Sequence, residues 1–107
     1  WIFDENNLLN NDLKFQLSEI TRERIFKFIN KEVPYSVKIK TSFEILKKLV
    51  RVNQVILVKK NSQKAILIGK SGQKIKHIGT DTRPEMEKIF NKKVFLDLKV
   101  SFQPKKI

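Results

Sequence analysis

Acidic residues are scarce in this 107-residue chain: 11 Asp and Glu stand against 23 Lys and Arg, a formal charge of +12. Cysteine is absent, which excludes a disulfide framework and a thiolate metal site and fits a reducing compartment, so a cytoplasmic location is expected. Histidine occurs once, at His77, and neither a His/Cys metal cluster nor a Cys-His nucleophile can be assembled from it. No apolar run approaches the ~18 residues that a membrane span requires, and the first residues lack the pattern of a signal peptide. The chain opens at Trp1-Ile2-Phe3 without Met. It is therefore read as a piece of a longer chain, with Trp1 and Phe3 packing on the body or on the absent part. There is no internal repeat and no low-complexity tract.

What is present argues for one folded domain rather than a basic tail, with 40% hydrophobic and 9% aromatic residues. The surplus positive charge selects a polyanionic partner, nucleic acid before an anionic membrane. Asp4 to Asn11 is polar and Asn-rich, a lead-in loop, and Asp12 or Asn11 is placed to cap a helix. Leu13, Leu17, Ile20, Ile25, Phe28 and Ile29 then recur at helical spacing over 12–30, until Pro34 ends any helix. Tyr35, Val37, Ile39, Thr41 and Phe43 alternate with polar residues as a half-buried strand. Leu49 to Lys60 forms a second strand, with Val50, Val52, Ile56 and Val58 on one face. Gln54 interrupts that face, which demands a partner or a bulge. Ser62 is placed to cap a short helix over 63–68. A further helical period runs through Ile75, Ile78, Thr82, Met86 and Ile89, with a kink or re-initiation expected near Thr80 or Asp81 because of Pro84. Asp81 and Glu85 read as a helix-start charge pattern. Val94, Leu96, Leu98, Val100 and Phe102 alternate as a last strand. The order α-β-β-α-α-β predicts an α+β fold, a three-stranded mixed sheet with helices packed on one face.

Between Ile45 and Thr80 no acid occurs, while Lys47, Lys48, Arg51, Lys59, Lys60, Lys64, Lys70, Lys74 and Lys76 do. At the centre of this block Ile68-Gly69-Lys70-Ser71-Gly72-Gln73-Lys74-Ile75-Lys76-His77-Ile78 reads I-G-x-x-G-x-x-I-x-x-I. Two glycines three apart permit a tight turn and a close approach by another backbone. The amides opening the next helix carry the positive end of its dipole and suit a phosphate. Gly69-Lys70-Ser71 has the look of a P-loop tail, but that motif needs a glycine where Lys64 stands and a strand leading into the loop. His77 falls on the helix surface or edge rather than at a catalytic post.

The eleven-residue stretch resembles the signature of a KH domain, and the element order resembles the type II arrangement. Ser18-Glu19-Ile20-Thr21-Arg22-Glu23-Arg24-Ile25, Glu32-Val33-Pro34-Tyr35-Ser36-Val37, Ser62-Gln63-Lys64 and Asn91-Lys92-Lys93-Val94-Phe95-Leu96 further resemble the C-terminal domain of the Era family of bacterial GTPases. The resemblance implies a KH domain over 12–103, a lead-in over 1–11 from an absent Ras-like GTPase domain, and a tail over 104–107. It implies binding of single-stranded RNA at the 3′ end of 16S ribosomal RNA during small-subunit assembly, with GTP and Mg2+ confined to the absent domain. It also implies peripheral contact with the inner membrane, and a monomer is expected. Three residues depart from the family pattern: Ser71 stands where a basic residue is frequent, Gln54 where a small apolar one is usual, and Pro84 inside a helix that usually continues.

On this reading Gly69, Lys70, Ser71, Gly72, Gln73 and Lys74 hold about four nucleotides by their backbone, with Lys59 and Lys64 adding charge. Ile56, Val58, Ile68 and Ile75 line a groove for the bases. The fragment itself is expected to have no turnover. Two rivals stand beside this: a protein-interaction module contacting the GTPase domain, and a membrane-surface module using the first helix. Glu19 and Glu23 dilute the basic face that the latter needs.

Overall fold

The alternating and helical periods fold as read, in a computed structural model that describes residues 5–28 and 37–102. The elements are α1 (Glu5–Phe28), β1 (Lys38–Ile45), β2 (Leu49–Val58), α2 (Asn61–Ile68), α3 (Gln73–Phe90) and β3 (Lys93–Phe102), with a single 3-10 turn at Lys70–Gly72. The sheet order is β1-β2-β3. The first pair is antiparallel, with Ile45 opposite Val50, and the second is parallel, with Val50 opposite Val94. That parallel pair needs a crossover, which α2 and α3 supply. Inward residues of β2 are buried while Arg51 and Asn53 on the other face are exposed, so the sheet is covered by helices on one side.

Several boundaries differ from the sequence expectation. Helix α1 begins at Glu5, so the Asn-rich stretch before Asp12 is helical. Each Asn costs less than about 0.7 kcal/mol in a helix, too little to stop one carried by the turns that follow. Asp12 does not cap. It sits inside α1 and accepts from Gln16 Nε2 at 3.2 Å. Helix α2 is capped at Lys60, in extended conformation and with no side-chain bond, rather than at Ser62. Helix α3 continues unbroken through Pro84. Two threonines in the preceding turns bond back to the helix, Thr80 Oγ1 donating to Lys76 O at 3.0 Å and Thr82 Oγ1 donating to Ile78 O. Asp81 and Glu85 lie in mid-helix, not at a start, and face Arg24 of α1 at 2.6 and 3.8 Å. The expected strand residues Tyr35 and Ser36, and the helix end at Ile29 and Asn30, lie outside the described residues.

The core is in two apolar parts. Ile25, Ile56, Val58, Leu67 and Ile78 belong to one, and Leu17, Val50, Val52, Met86 and Val94 to the other. Between them runs a polar level to which α1 gives Thr21, β1 gives Thr41, β2 gives Gln54 and α3 gives Thr82. Gln54 Nε2 donates to Leu17 O at 3.1 Å and to Thr41 Oγ1 at 3.0 Å. Its Oε1 accepts from the Thr21 hydroxyl. Thr41 Oγ1 also shares a hydrogen bond with Ser18 Oγ at 2.6 Å. Gln54 therefore has a partner for each polar atom, and β2 pairs without a bulge.

Truncating this residue leaves a cavity and removes its hydrogen bonds to Leu17 O, Thr21 and Thr41. Gln54→Ala is expected to destabilise the domain by about 3 kcal/mol in urea unfolding. The double change Gln54→Leu with Thr21→Val removes both members of one bond and is expected to lose less than Gln54→Ala alone.

Candidate nucleic-acid interface

Helix α2 ends because Gly69 turns away at φ 73°, ψ −178°, its N–H still closing onto Ala65 O. That region of backbone space is almost closed to residues with a Cβ. The obstacle is also local: a Cβ on Gly69 would lie 2.7 Å from Cγ and 2.9 Å from Cβ of Lys74. Ser71 (φ 56°, ψ 26°) and Gly72 (φ 73°, ψ 15°) follow in the left-handed region, and the Gly72 N–H returns to Gly69 O at 3.3 Å. A Cβ on Gly72 would meet nothing within 4 Å. The two glycines thus differ. Gly69 is required by the protein's own packing, whereas Gly72 leaves an open approach from outside.

Helix α3 starts directly from this turn. Gly72 offers its first amides no side-chain cap, and the first turn holds no acidic residue. The Gln73 N–H closes onto Lys70 O, and the amides after it stand at the positive end of an 18-residue helix with no side-chain acceptor. Lys70, Gln73 and Lys74 are exposed beside them, as is Ser71.

From the same turn a groove of about 280 Å³ runs between α3 and β3. Its helix side is Ile75, Lys76, Gly79, Thr80 and Arg83; its other side is Leu96-Asp97-Leu98. Three consecutive strand residues cannot share one face of a pleated strand, so the wall is the edge of β3. That edge pairs with no other strand among the described residues, and its backbone donors and acceptors are available to a ligand. At Gly79 a Cβ would lie 3.4 Å from Leu98 Cδ1, so a larger side chain there would fill the groove.

The structure gathers most of the site expected from sequence and relocates the rest. Gly69, Lys70, Ser71, Gly72, Gln73, Lys74 and Ile75 are contiguous, and half-buried Ile68 closes α2 against them. Ile56 and Val58 are corrected: at 0% and 1% exposure they are core, and neither of them lines the groove between α3 and β3. The central strand is covered by helices, and the open wall belongs to β3. Lys59 lies at the far end of α2, about 12 Å from the loop by helix rise, with Lys64 partway along. Sequence reasoning misses Gly79, Arg83 and the 96–98 edge. The available signal is Gly79, a helix-weakening residue in mid-helix on the face shared by Ile75 and Arg83.

Both glycines sit at positive φ, yet alanine is expected to behave differently at each. Gly72→Ala should cost about 1 kcal/mol in chemical denaturation. Gly69→Ala adds a clash with Lys74 and should cost about 3 kcal/mol.

Comparison with known proteins agrees with this geometry. The KH domain family matches residues 32–106. GTPase Era of Coxiella burnetii (strain Dugway 5J108-111) is 43% identical over 98 residues, which is 90% of this chain and 33% of that protein. GTPase Era of Rickettsia typhi is 41% identical over 84% of this chain and 31% of its own length. The chain therefore spans about a third of the curated relatives it matches. A tyrosine-to-alanine variant of Aquifex aeolicus Era bound to GDP·AlF4⁻ superposes with a TM-score of 0.79 at 32% identity, over 86% of this chain and 32% of that one. Era in complex with MgGDPNP and nucleotides 1506–1542 of 16S ribosomal RNA superposes with a TM-score of 0.80, at the same identity and coverage. The chain belongs to the KH domain family, as a KH domain of the Era type.

Proposed function

We propose that this domain binds single-stranded RNA, clamping about four nucleotides by their backbone across Gly69–Gly72 and taking their bases into the groove between α3 and β3. The observation that carries this reading is the start of α3, without a side-chain cap and beside an unobstructed Gly72, with Ile75 of its first turn lining that groove. A phosphate at the turn accepts from the amides of the first α3 turn beyond Gln73 while Lys70 and Lys74 neutralise its charge. A duplex hides its base edges, whereas an unpaired strand turns them toward Ile75, Leu96 and Leu98. Asp97 brings a carboxylate to the strand side, opposite Lys76 and Arg83 on the helix side. This polarity repels phosphate from β3, attracts it to α3, and offers an acceptor to a base amino group.

The relative bound to nucleotides 1506–1542 of 16S ribosomal RNA supports a target at the 3′ end of that RNA. On this proposal the domain serves small-subunit assembly as part of a longer GTPase, whose other domain holds GTP and Mg2+. This chain's own residues bind and orient RNA and perform no chemistry. Among the described residues no group of His, Asp and Glu could hold a metal ion, and no helix is long and apolar enough to cross a membrane.

Titration of a labelled RNA spanning those nucleotides tests the reading. Lys70→Asp with Ser71→Asp should weaken binding at least about tenfold with an unchanged circular dichroism spectrum, because both changes set carboxylates against the phosphates. For about four neutralised phosphates the log–log salt dependence should have a slope of about −3. Undiminished affinity in the folded double variant would sink the clamp, and a slope near zero would sink phosphate binding as a whole.

A further inference from the structure

A second concavity adjoins the loop on the side away from the groove. Phe28, the last described residue of α1, and Gln73, Lys74 and His77 of α3 enclose a depression of about 290 Å³. The rings of Phe28 and His77 meet edge to face, their centroids 4.6 Å apart and their planes at 82°. They form a corner with two aromatic walls. Phe28 is half-buried, with one side against the core cluster of Ile25 and Ile78, and His77 is exposed. Lys27 Nζ stands 5.6 Å from the Phe28 ring centroid. Gln73 brings an amide, both donor and acceptor, to the rim.

The depression is continuous with the glycine turn. The stem of Lys74 lies across Gly69, and the same side chain lines the depression. On a helical wheel Gln73, Lys74 and His77 fall within about 100°, in a sector that borders but does not overlap the one holding the groove residues Ile75, Lys76, Gly79, Thr80 and Arg83. A sugar-phosphate backbone lying on the turn therefore has the groove on one hand and the aromatic corner on the other. Aromatic faces flanked by cations suit any unpaired base, since stacking is indifferent to its identity. The volume is at the small end for ligand sites, enough for one planar ring rather than a larger ligand.

We propose that Phe28, Gln73, Lys74 and His77 form a stacking subsite for a single unpaired nucleobase flanking the clamped nucleotides, its base turned opposite to those in the groove. The proposal rests on the RNA-binding reading above. The exposed His77 ring supplies the stacking face, Phe28, perpendicular to it, meets the base edge to face, Gln73 reads an edge of the base, and Lys74 serves the adjacent phosphate.

The test uses RNA of nucleotides 1506–1542 of 16S ribosomal RNA, carrying single abasic substitutions along its unpaired stretch. With the wild-type domain, one abasic position outside the four-nucleotide footprint should weaken binding roughly five- to tenfold. His77→Ala should weaken binding of the intact RNA by a similar factor and abolish the penalty at that position, while penalties inside the footprint persist. His77→Tyr, which restores a ring, should recover the affinity; a purely structural role for His77 would not produce this position-specific loss and rescue. Phe28→Leu keeps apolar packing and should reproduce the effect of His77→Ala. Additive penalties for His77→Ala and every abasic position, or an unaltered affinity in His77→Ala, overturn the subsite while leaving the clamp standing. Failure of the wild-type domain to bind the RNA at all overturns both.

Discussion

The Gln54 amide is the contact on which the remainder of this domain is aligned. It is buried in the central strand, so it must satisfy a carbonyl oxygen and two N–H donors from within the protein or lose about 1–3 kcal/mol for each orphan. It does so by reaching a main-chain carbonyl and a hydroxyl of α1 and a hydroxyl of β1. Apolar contacts alone would tolerate sliding of α1 along the sheet. Hydrogen bonds with fixed donors and acceptors do not, and the polar level sets one register for these three elements. Its consequence reaches the interface. Gln54 is paired with Leu98 across β2 and β3, and Leu98 is the residue that Gly79 of α3 approaches. The level that locks the core is thus the level at which the groove is set.

Charge and geometry divide the work at the interface. The block free of acids from Ile45 to Thr80 supplies attraction, which is long-ranged and imprecise. Position comes from the backbone. Gly69 occupies a conformation that almost no other residue adopts and lies beneath the stem of Lys74, so α2 and α3 can meet only at this angle. Ser71 and Gly72 then turn left-handed in succession and release α3 without a side-chain cap. The positive φ of Ser71 costs some local strain, of order 1 kcal/mol.

Much of this is legible in the sequence, and the gaps have physical causes. All six elements can be read, because periods of two and 3.6 survive wherever one face is buried. Gln54 stands out as a polar residue on an apolar face. Alternation narrows its resolution to a partner or a bulge without naming Thr21, Thr41 or the Leu17 carbonyl, which are 33, 13 and 37 residues away. Pro84 suggests a break, but tertiary contacts on both sides of it, Thr82 within the core and Arg24 against Asp81 and Glu85, hold the helix through it. Capping chemistry at Asp12 sets the start of α1 too late, because the cost of asparagine in a helix is small beside what the later turns gain. The groove falls on the wrong strand for a different reason. Alternation tells which residues of a strand share a face, but not whether helices close over it, and Ile56 and Val58 are apolar because they are core. The true wall is a strand edge, made of backbone groups that every sequence possesses.

A KH turn is usually considered for the one groove it serves, yet a phosphate backbone resting on a helix start has two flanks. Here the helix wheel of α3 assigns different chemistry to each. Ile75, Gly79 and Arg83 face a strand edge with a carboxylate, suited to discriminating among base edges. Gln73, Lys74 and His77 face an aromatic ring, suited to holding a base whatever its identity. Because Lys74 both covers Gly69 and borders the aromatic corner, the turn and that flank share a single side chain. Tight binding on both sides requires consecutive nucleotides to splay apart, a conformation open to an unpaired strand and closed to a stacked duplex. On the proposed reading, preference for an unpaired strand over a duplex follows from the position of the turn between two dissimilar walls, whereas discrimination of RNA from DNA requires a contact with the 2′-hydroxyl.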